Sequence, residues 1–136
     1  MSSNLDLVRS IFANWERGDF SRTNWADPEV EWVTVDGPAP GSWTGVRGMG
    51  EASRDWVNAW EGYRVQAHQF RELDDKRVLV LFDYAGRGKT SGLEIGQLGA
   101  TGAGVFHVRS GRVTRVDAYW DGDRALADLG LAPEGG

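Results

Sequence analysis

Strand-like segments separated by very short polar turns fill most of the chain between residues 63 and 120, and this pattern constrains the fold more than any other feature. Two of the turns, Asp74-Asp75-Lys76 and Ser110-Gly111, have the composition of hairpin loops. Loops this short can join only antiparallel neighbours, because a parallel pair needs a crossover of about a dozen residues or more. The pattern therefore predicts antiparallel strands at residues 63–73, 77–88, 93–109 and 112–120.

Apolar residues recur at helical spacing in the other parts of the chain. This spacing predicts helices at residues 4–17, 48–61 and 122–129, whereas alternation at residues 29–35 predicts a further strand. The Gly- and Pro-containing segment 36–42 is typical of a rigid loop. Two helices with one strand between them, followed by antiparallel strands and a closing helix, indicate an α+β fold with helices packed on one face of a sheet.

The composition excludes several classes of protein. The chain has 136 residues, a net charge of −5 and no cysteine. It therefore lacks the basic character that binds nucleic acid or anionic membrane surfaces, and it cannot form disulfides or thiolate sites. The N-terminal residues lack the pattern of a secretory signal, and no stretch reaches the roughly 18–20 apolar residues of a membrane span. We expect a cytoplasmic protein with one domain at residues 1–131 and a flexible tail at residues 132–136.

The seven tryptophans are the strongest bias in the composition. Tryptophan is large and amphipathic, and it is frequent in ligand cavities and interfaces. Two interpretations remain open at this point. The tryptophans could simply fill the core, or they could fill the core and also form the wall of a pocket.

Several local strings stand out when they are taken in their order along the chain. They are Ala13-Asn14-Trp15-Glu16-Arg17-Gly18-Asp19-Phe20, Pro28-Glu29-Val30-Glu31-Trp32, Thr44-Gly45-Val46-Arg47-Gly48, Ser110-Gly111-Arg112-Val113 and Tyr119-Trp120-Asp121 with Ala125-Leu126 and Gly130-Leu131. Together they resemble the nuclear transport factor 2-like superfamily and, within it, the SnoaL-like domains, and the resemblance covers nearly the whole chain. The superfamily includes ketosteroid isomerase, SnoaL-type polyketide cyclases and non-catalytic binding modules, so the resemblance implies a fold rather than an activity.

The resemblance implies a cone-shaped, curved antiparallel sheet packed on helices around an internal pocket, an α+β barrel of the cystatin-like kind. It also implies a homodimer through the convex face of the sheet. Within that frame, strand alternation directs Phe106, Val116 and Trp120 toward the cavity. The same alternation directs His107, Asp117 and Tyr119 toward the convex side. The pocket would hold a small apolar or aromatic molecule, and its predicted lining residues are Phe12, Trp15, Trp32, Trp56, Trp60, Phe106 and Trp120.

Asp121 is the first candidate for chemistry. In the SnoaL-type cyclases that this region resembles, an Asp follows a Trp and stands nine residues before a Gly, as Asp121 does relative to Trp120 and Gly130. The resemblance implies a general acid/base for carbon-acid chemistry at the end of the cavity. The structural alternative is an N-cap, because Asp121 immediately precedes the predicted closing helix.

Three other polar positions allow two interpretations each. Asp36 would lie at the cavity mouth and could act as an acid/base, but an Asp followed by a Gly is first of all a turn signal. Asp83 and Tyr84 are adjacent in a predicted strand, so only one of them can face the cavity. An Asp is unusual in the middle of a strand, and we expect Asp83 to pair with an arginine, for which Arg87, Arg109 and Arg115 are the candidates.

The remaining motifs carry no chemistry. The two histidines, His68 and His107, have no spacing that suits a metal, and residues 86–92 do not match a phosphate-binding loop. The groups of ketosteroid isomerase have no counterpart, since the matching positions are Trp32, Ile11 and Gly104. No cofactor or metal is predicted.

Three hypotheses for the function follow. The first is a cofactor-independent cyclase, isomerase or hydrolase that acts on an aromatic or polycyclic molecule. The second is a binding module that holds such a molecule without turning it over. The third is a structural dimer in which the tryptophans only pack.

Overall fold

A computed structural model describes residues 3–19, 23–36, 40–58, 60–88, 94–95 and 101–131. Among these, the side chains at residues 3, 55, 56, 60–62, 86–88 and 94–95 are left undescribed. The predicted tail at residues 132–136 and the side chains of the predicted pocket residues Trp56 and Trp60 lie outside the described part. The elements, in chain order, are α1 (Ser3–Glu16), β1 (Ala26–Thr34), β2 (Gly41–Thr44), α2 (Gly45–Asn58), β3 (Trp60–Glu72), β4 (Arg77–Gly88), β5 (Glu94–Ile95), β6 (Thr101–Arg109), β7 (Arg112–Tyr119) and α3 (Gly122–Asp128).

The strands form one sheet in the order β2-β1-β7-β6-β4-β3, with β5 paired to β4. All the pairs are antiparallel except β1 with β7, which is parallel. The prediction of an antiparallel sheet was therefore wrong at this pair, and the sheet is mixed. The reason is that β1 and β7 are joined by most of the chain, so nothing restricts them to a hairpin.

The sheet curves around the side that carries α1 and α2. Helix α2 contacts both β1 and β3, although these strands stand far apart in the strand order. We call this helix-covered side the concave face. Its core combines residues of both helices with alternate residues of the strands, namely Val8, Ile11, Phe12, Val30, Met49, Val65, Val78, Val80, Phe106, Val108, Val113 and Val116. The predicted α+β architecture is confirmed.

The opposite side of the sheet, the convex face, is partly covered by α3. Leu79 and Leu81 of β4 and Ala103 and Val105 of β6 pack there against the helix. The alternation predicted for β6 and β7 is confirmed, because Phe106 and Val116 lie in the concave core whereas Tyr119 packs with α3.

Several boundaries differ from the sequence-based expectation. The segment predicted as a loop at 36–42 contributes Gly41 and Ser42 to β2, which is too short for a periodic signal. Helix α2 begins at Gly45 and ends at Asn58, three residues earlier at each end than predicted. Gly48 and Gly50 have low helix propensity, so the sequence gives only a weak helical signal in its first turns. The single strand predicted at 93–109 is two strands, β5 and β6.

Candidate functional site

The concave face carries a cluster of aromatic rings at its centre. The ring centroid of Trp15 lies 4.9 Å from that of Phe12, 6.3 Å from that of Trp32 and 6.1 Å from that of Phe106. Phe12 and Phe106 are themselves 5.8 Å apart in an edge-to-face arrangement. Four of the predicted pocket residues, contributed by α1, β1 and β6, therefore meet in one place.

The cluster continues toward one end of the sheet. Phe82 lies 5.6 Å from Phe12, Tyr84 lies 6.2 Å from Phe82, and Trp120 lies 5.0 Å from Tyr84, measured between ring centroids. We call the rings from Trp15 to Trp120 the aromatic series. It joins a fifth predicted pocket residue, Trp120, to the central cluster through two rings that the sequence analysis did not include.

Burial divides the series into a floor and a wall. Phe12 and Phe106 are each 1% exposed, so they offer almost no surface to a ligand and form a packed floor. Trp15, Trp32 and Trp120 are only half-buried, as is Phe82. The half-buried rings are the part of the series that a bound molecule could cover.

Trp43 is an aromatic residue that the sequence analysis left out. It stands directly opposite Trp32 in the β1–β2 pair, and residues opposite each other in such a pair project to the same face. The signal in the sequence was weak because β2 has only four residues, too few to show alternation.

Polar groups gather at the end of the series, where β1, β4 and β7 terminate. These three strands run in the same direction, since β1 is parallel to β7 and β4 is separated from β7 by one antiparallel strand. Their carboxyl ends therefore meet at one edge of the sheet. This shared edge brings together three segments that are far apart in the sequence, with Asp36, Tyr84 and the consecutive residues Trp120 and Asp121.

Asp36 connects β1 to β7 at this edge. The N–H of Val35 donates to the carbonyl of Ala118 at 2.9 Å, and the N–H of Trp120 donates to Oδ1 of Asp36 at 2.6 Å. The carboxylate of Asp36 thus extends the strand pairing beyond the last residue of β1. Asp36 is half-buried and forms no ion pair with any described residue.

Asp121 caps α3. Its Oδ1 accepts a hydrogen bond from the N–H of Asp123 at 3.0 Å, and its backbone is extended, as expected of an N-cap residue. The structural role predicted for Asp121 is confirmed. Asp121 is exposed, so its carboxylate meets solvent as well as the helix terminus.

Tyr84 is the buried hydroxyl of the site. It is 6% exposed, and its hydroxyl donates to the carbonyl of Trp120 at 2.8 Å. Burial, together with the unfavourable interaction of a charged Tyr84 with Tyr63, Asp36 and Asp121, raises the pKa of Tyr84 well above its ordinary value. The hydroxyl therefore stays protonated and remains a donor throughout the physiological range.

The convex face carries a separate charged cluster. Oδ2 of Asp117 lies 2.9 Å from Nε2 of His107, and Oδ1 accepts from Nε of Arg115 at 2.8 Å. Arg115 also approaches Glu31 at 3.9 Å. Burial opposes ionisation of Asp117, but the hydrogen bonds from His107 and Arg115 outweigh it and lower the pKa of this carboxyl.

Among the described side chains, the partners of Asp83 are residues other than the predicted arginines. Its carboxylate lies 3.6 Å from Nε2 of His68 and accepts from the hydroxyl of Thr101 at 3.2 Å. Arg115, one of the three candidates, pairs with Asp117 and Glu31 instead. The side chain of Arg87 lies outside the described residues.

No group of three His, Asp or Glu side chains within the described ranges is close enough to hold a metal ion. Likewise, none of the described helices is long and apolar enough to cross a membrane.

Comparison with solved structures identifies the fold. The chain superimposes on a nuclear transport factor 2-like protein from Burkholderia thailandensis with a TM-score of 0.78 and 19% identity, over 98% of this chain and 100% of that one. It matches TerC, crystallised with polyporic acid, with a TM-score of 0.73 and 22% identity over 94% and 98% of the two chains. A proposed polyketide cyclase from Xanthomonas campestris matches with a TM-score of 0.67 and 22% identity over 93% and 96%.

No protein-family profile and no curated protein sequence matches the chain. The chain nevertheless has the nuclear transport factor 2-like fold, and the resemblance stated from the sequence is confirmed at that level.

Proposed function

We propose that the protein binds a small, planar, mostly apolar molecule against the half-buried rings of the aromatic series. The observation that carries this proposal is the contrast in burial along the series. Phe12 and Phe106 are fully packed, whereas Trp15, Trp32 and Trp120 keep part of their surface uncovered on the same face. Partly covered indole rings above a packed floor are typical of a site for an aromatic ligand.

The charge at the end of the series favours neutral or cationic ligands over anionic ones. Asp36 and Asp121 are both near enough to Tyr84 to affect its hydroxyl electrostatically, and neither forms an ion pair within the described part of the chain. An anionic group placed there would meet two unneutralised carboxylates. TerC, which shares the fold, was crystallised with polyporic acid, and this supports a small-molecule site in the present chain.

A thermal-shift and calorimetric series tests the proposal. The probes are 2-naphthol, 2-naphthoate and the (2-naphthylmethyl)trimethylammonium ion, which share a ring system and differ in charge. A ligand present at 100 times its Kd adds about 2.7 kcal/mol to stability. We expect 2-naphthol and the ammonium probe to raise the Tm, and 2-naphthoate to bind more weakly.

Two substitutions on one strand provide the matched control. Trp32→Leu removes a ring from the concave face, whereas Val33→Ala changes the next residue of β1, which points to the opposite face. Binding should weaken in Trp32→Leu and stay unchanged in Val33→Ala. If no probe binds, or if both variants bind like the wild type, the proposed ligand site is wrong.

A second candidate function is proton transfer on the bound molecule, as in a cofactor-independent cyclase or isomerase. The half-buried carboxylate of Asp36 at the end of the aromatic series favours it, and Asp121 is the other candidate acid/base. The carboxylate would take a proton from a carbon next to a carbonyl group and return it to another position.

Exchange of the α-protons of 2-tetralone in D2O, followed by NMR, measures this step without a cofactor. In Asp36→Asn and Asp121→Asn, the amide oxygen can still accept the hydrogen bond that the carboxylate accepts in the wild type. If either carboxylate is the acid/base, its variant should lose exchange activity and keep its affinity for 2-naphthol. If the wild-type protein does not accelerate the exchange, the proton-transfer function is wrong and only the proposed binding function remains.

Dimerisation through the convex face is also part of the proposal. Helix α3 packs on the convex face with residues of β4 and β6, and the β1–β7 part of that face carries both signs of charge on Glu31, Arg115 and Asp117. A surface with both signs is suited to a two-fold symmetric contact. Analytical ultracentrifugation of the wild type and of Arg115→Glu tests it, and a monomeric wild type contradicts it.

The cytoplasmic location and the domain boundaries at residues 1–131 also remain predictions.

A further inference from the structure

Trp120 is held by contacts from two other segments of the chain, the residues that follow β1 and strand β4. Its N–H donates to Oδ1 of Asp36 at 2.6 Å, and its carbonyl accepts from the hydroxyl of Tyr84 at 2.8 Å. Its ring packs on the ring of Tyr84, with centroids 5.0 Å apart and planes inclined by 56°. Two of these three contacts come from the same residue, Tyr84.

Such restraint has a consequence for recognition. A half-buried indole at the end of a strand can adopt several rotamers, and ordering it on binding reduces the affinity. The two hydrogen bonds fix the backbone from which the indole projects, and the ring of Tyr84 packs on the indole itself, so part of that ordering is in place before a ligand arrives. Trp120 is half-buried, so the part of its ring that stays exposed is then presented to a ligand in one orientation.

We infer that Tyr84 is a positioning residue of the proposed ligand site: its hydroxyl and its ring hold Trp120 as a fixed wall on which a planar ligand stacks. This inference rests on the proposed ligand-binding function. Tyr84 acts through Trp120, and because Tyr84 is 6% exposed it has little surface of its own for a ligand. The hydroxyl stays a donor because it is buried beside the negative potential of Asp36 and Asp121, so the restraint holds across the physiological pH range.

The substitution Tyr84→Phe tests the inference, since it removes only the oxygen atom. Tyr119→Phe is the matched control. The hydroxyl of Tyr119 donates to Oδ2 of Asp128 at 3.1 Å, and its ring packs with α3 on the convex face. Both variants lose one tyrosine hydrogen bond, but only the first loses a contact to Trp120.

Two measurements separate positioning from general stability. The first is the ¹⁹F NMR spectrum of protein labelled with 5-fluorotryptophan and free of ligand, in which Trp120→Phe identifies the Trp120 signal. The second is the Kd for 2-naphthol by calorimetry. We expect Tyr84→Phe to shift or broaden the Trp120 signal and to weaken binding by about fivefold to tenfold. Tyr119→Phe should leave both unchanged.

The outcomes distinguish this inference from the function on which it rests. A Trp120 signal that is unchanged in Tyr84→Phe, or an equal loss of affinity in Tyr119→Phe, overturns the positioning role. If the folded wild type does not bind 2-naphthol or the ammonium probe, the ligand function fails, and the NMR result alone then decides whether Tyr84 orders Trp120. Should Tyr84→Phe not fold, Asp36→Ala removes the other restraint on Trp120 and is expected to move the same signal.

Discussion

Replacement of Phe12 by alanine decides whether the centre of the concave face is packed or hollow. Phe12 is 1% exposed, and its ring centroid lies between 4.9 and 6.0 Å from those of Trp15, Phe70, Phe82 and Phe106. Loss of a fully packed phenylalanine costs about 3–5 kcal/mol, because the transfer free energy and the cavity both contribute. A domain of this size has a stability of roughly 7–20 kcal/mol, so we expect the variant to fold.

Urea unfolding at constant pH measures the change, with an m value equal to that of the wild type as the criterion of two-state behaviour. The Tm should fall by about 12–20 °C. Phe70→Ala is the control, since Phe70 is half-buried beside Arg9 and should lose clearly less. Benzene should raise the Tm of Phe12→Ala and not that of the wild type, because an apolar cavity of this kind admits it.

A loss below about 1.5 kcal/mol in Phe12→Ala, with an unchanged m value, would refute this reasoning. It would mean that Phe12 already borders an open space in the native state. The predicted pocket would then extend to the residue that we describe as its floor.

Three further predictions concern stability. The pKa of Asp117 is lowered in the folded state, so its contribution to the free energy of unfolding is present above the unfolded pKa of about 3.9 and is lost as the pH falls through the folded pKa. Urea unfolding between pH 3 and 7 should show this loss of stability in acid, and the loss should be smaller in Asp117→Asn. Asp121→Ala should cost about 0.5–2 kcal/mol in the same assay, whereas Asp121→Asn should cost little because the amide oxygen can still cap α3; equal losses would contradict the capping role. Gly102→Ala should destabilise the protein by about 1–3 kcal/mol, since a Cβ would lie 2.8 Å from the carbonyl oxygen of Tyr119. A Cβ at Gly50 in α2 would meet no neighbouring atom within 4 Å, so Gly50→Ala should stabilise the protein by about 0.5–1 kcal/mol. Thermal unfolding of the two variants checks both signs.

The parts of the fold that could be predicted were those with a local periodic signal. Alternation along β6 and β7 assigned Phe106 and Val116 to one face and Tyr119 to the other, and the structure confirms it. The hairpin turns between β3 and β4 and between β6 and β7 were equally clear, because their loops are too short for any other connection.

The parts that could not be predicted depend on contacts between distant segments. Nothing local to residues 26–34 indicates that β1 lies parallel to β7, and without that pairing Asp36 cannot be placed beside Trp120. Tyr84 was assigned only as one of two residues that could face the cavity. Its partner is 36 positions away, and the hydrogen bond becomes visible only when the direction of three strands is known.

The two carboxylates at the end of the aromatic series illustrate how structure changes a ranking made from the sequence, which placed Asp121 before Asp36. Asp121 satisfies the start of α3 and is exposed, so its position is explained without any ligand. Asp36 also has a structural partner, but it is half-buried at the end of a series of rings that remains partly uncovered. For this reason Asp36 is the stronger candidate for any chemistry at the site, and the comparison of Asp36→Asn with Asp121→Asn is the measurement on which that ranking depends.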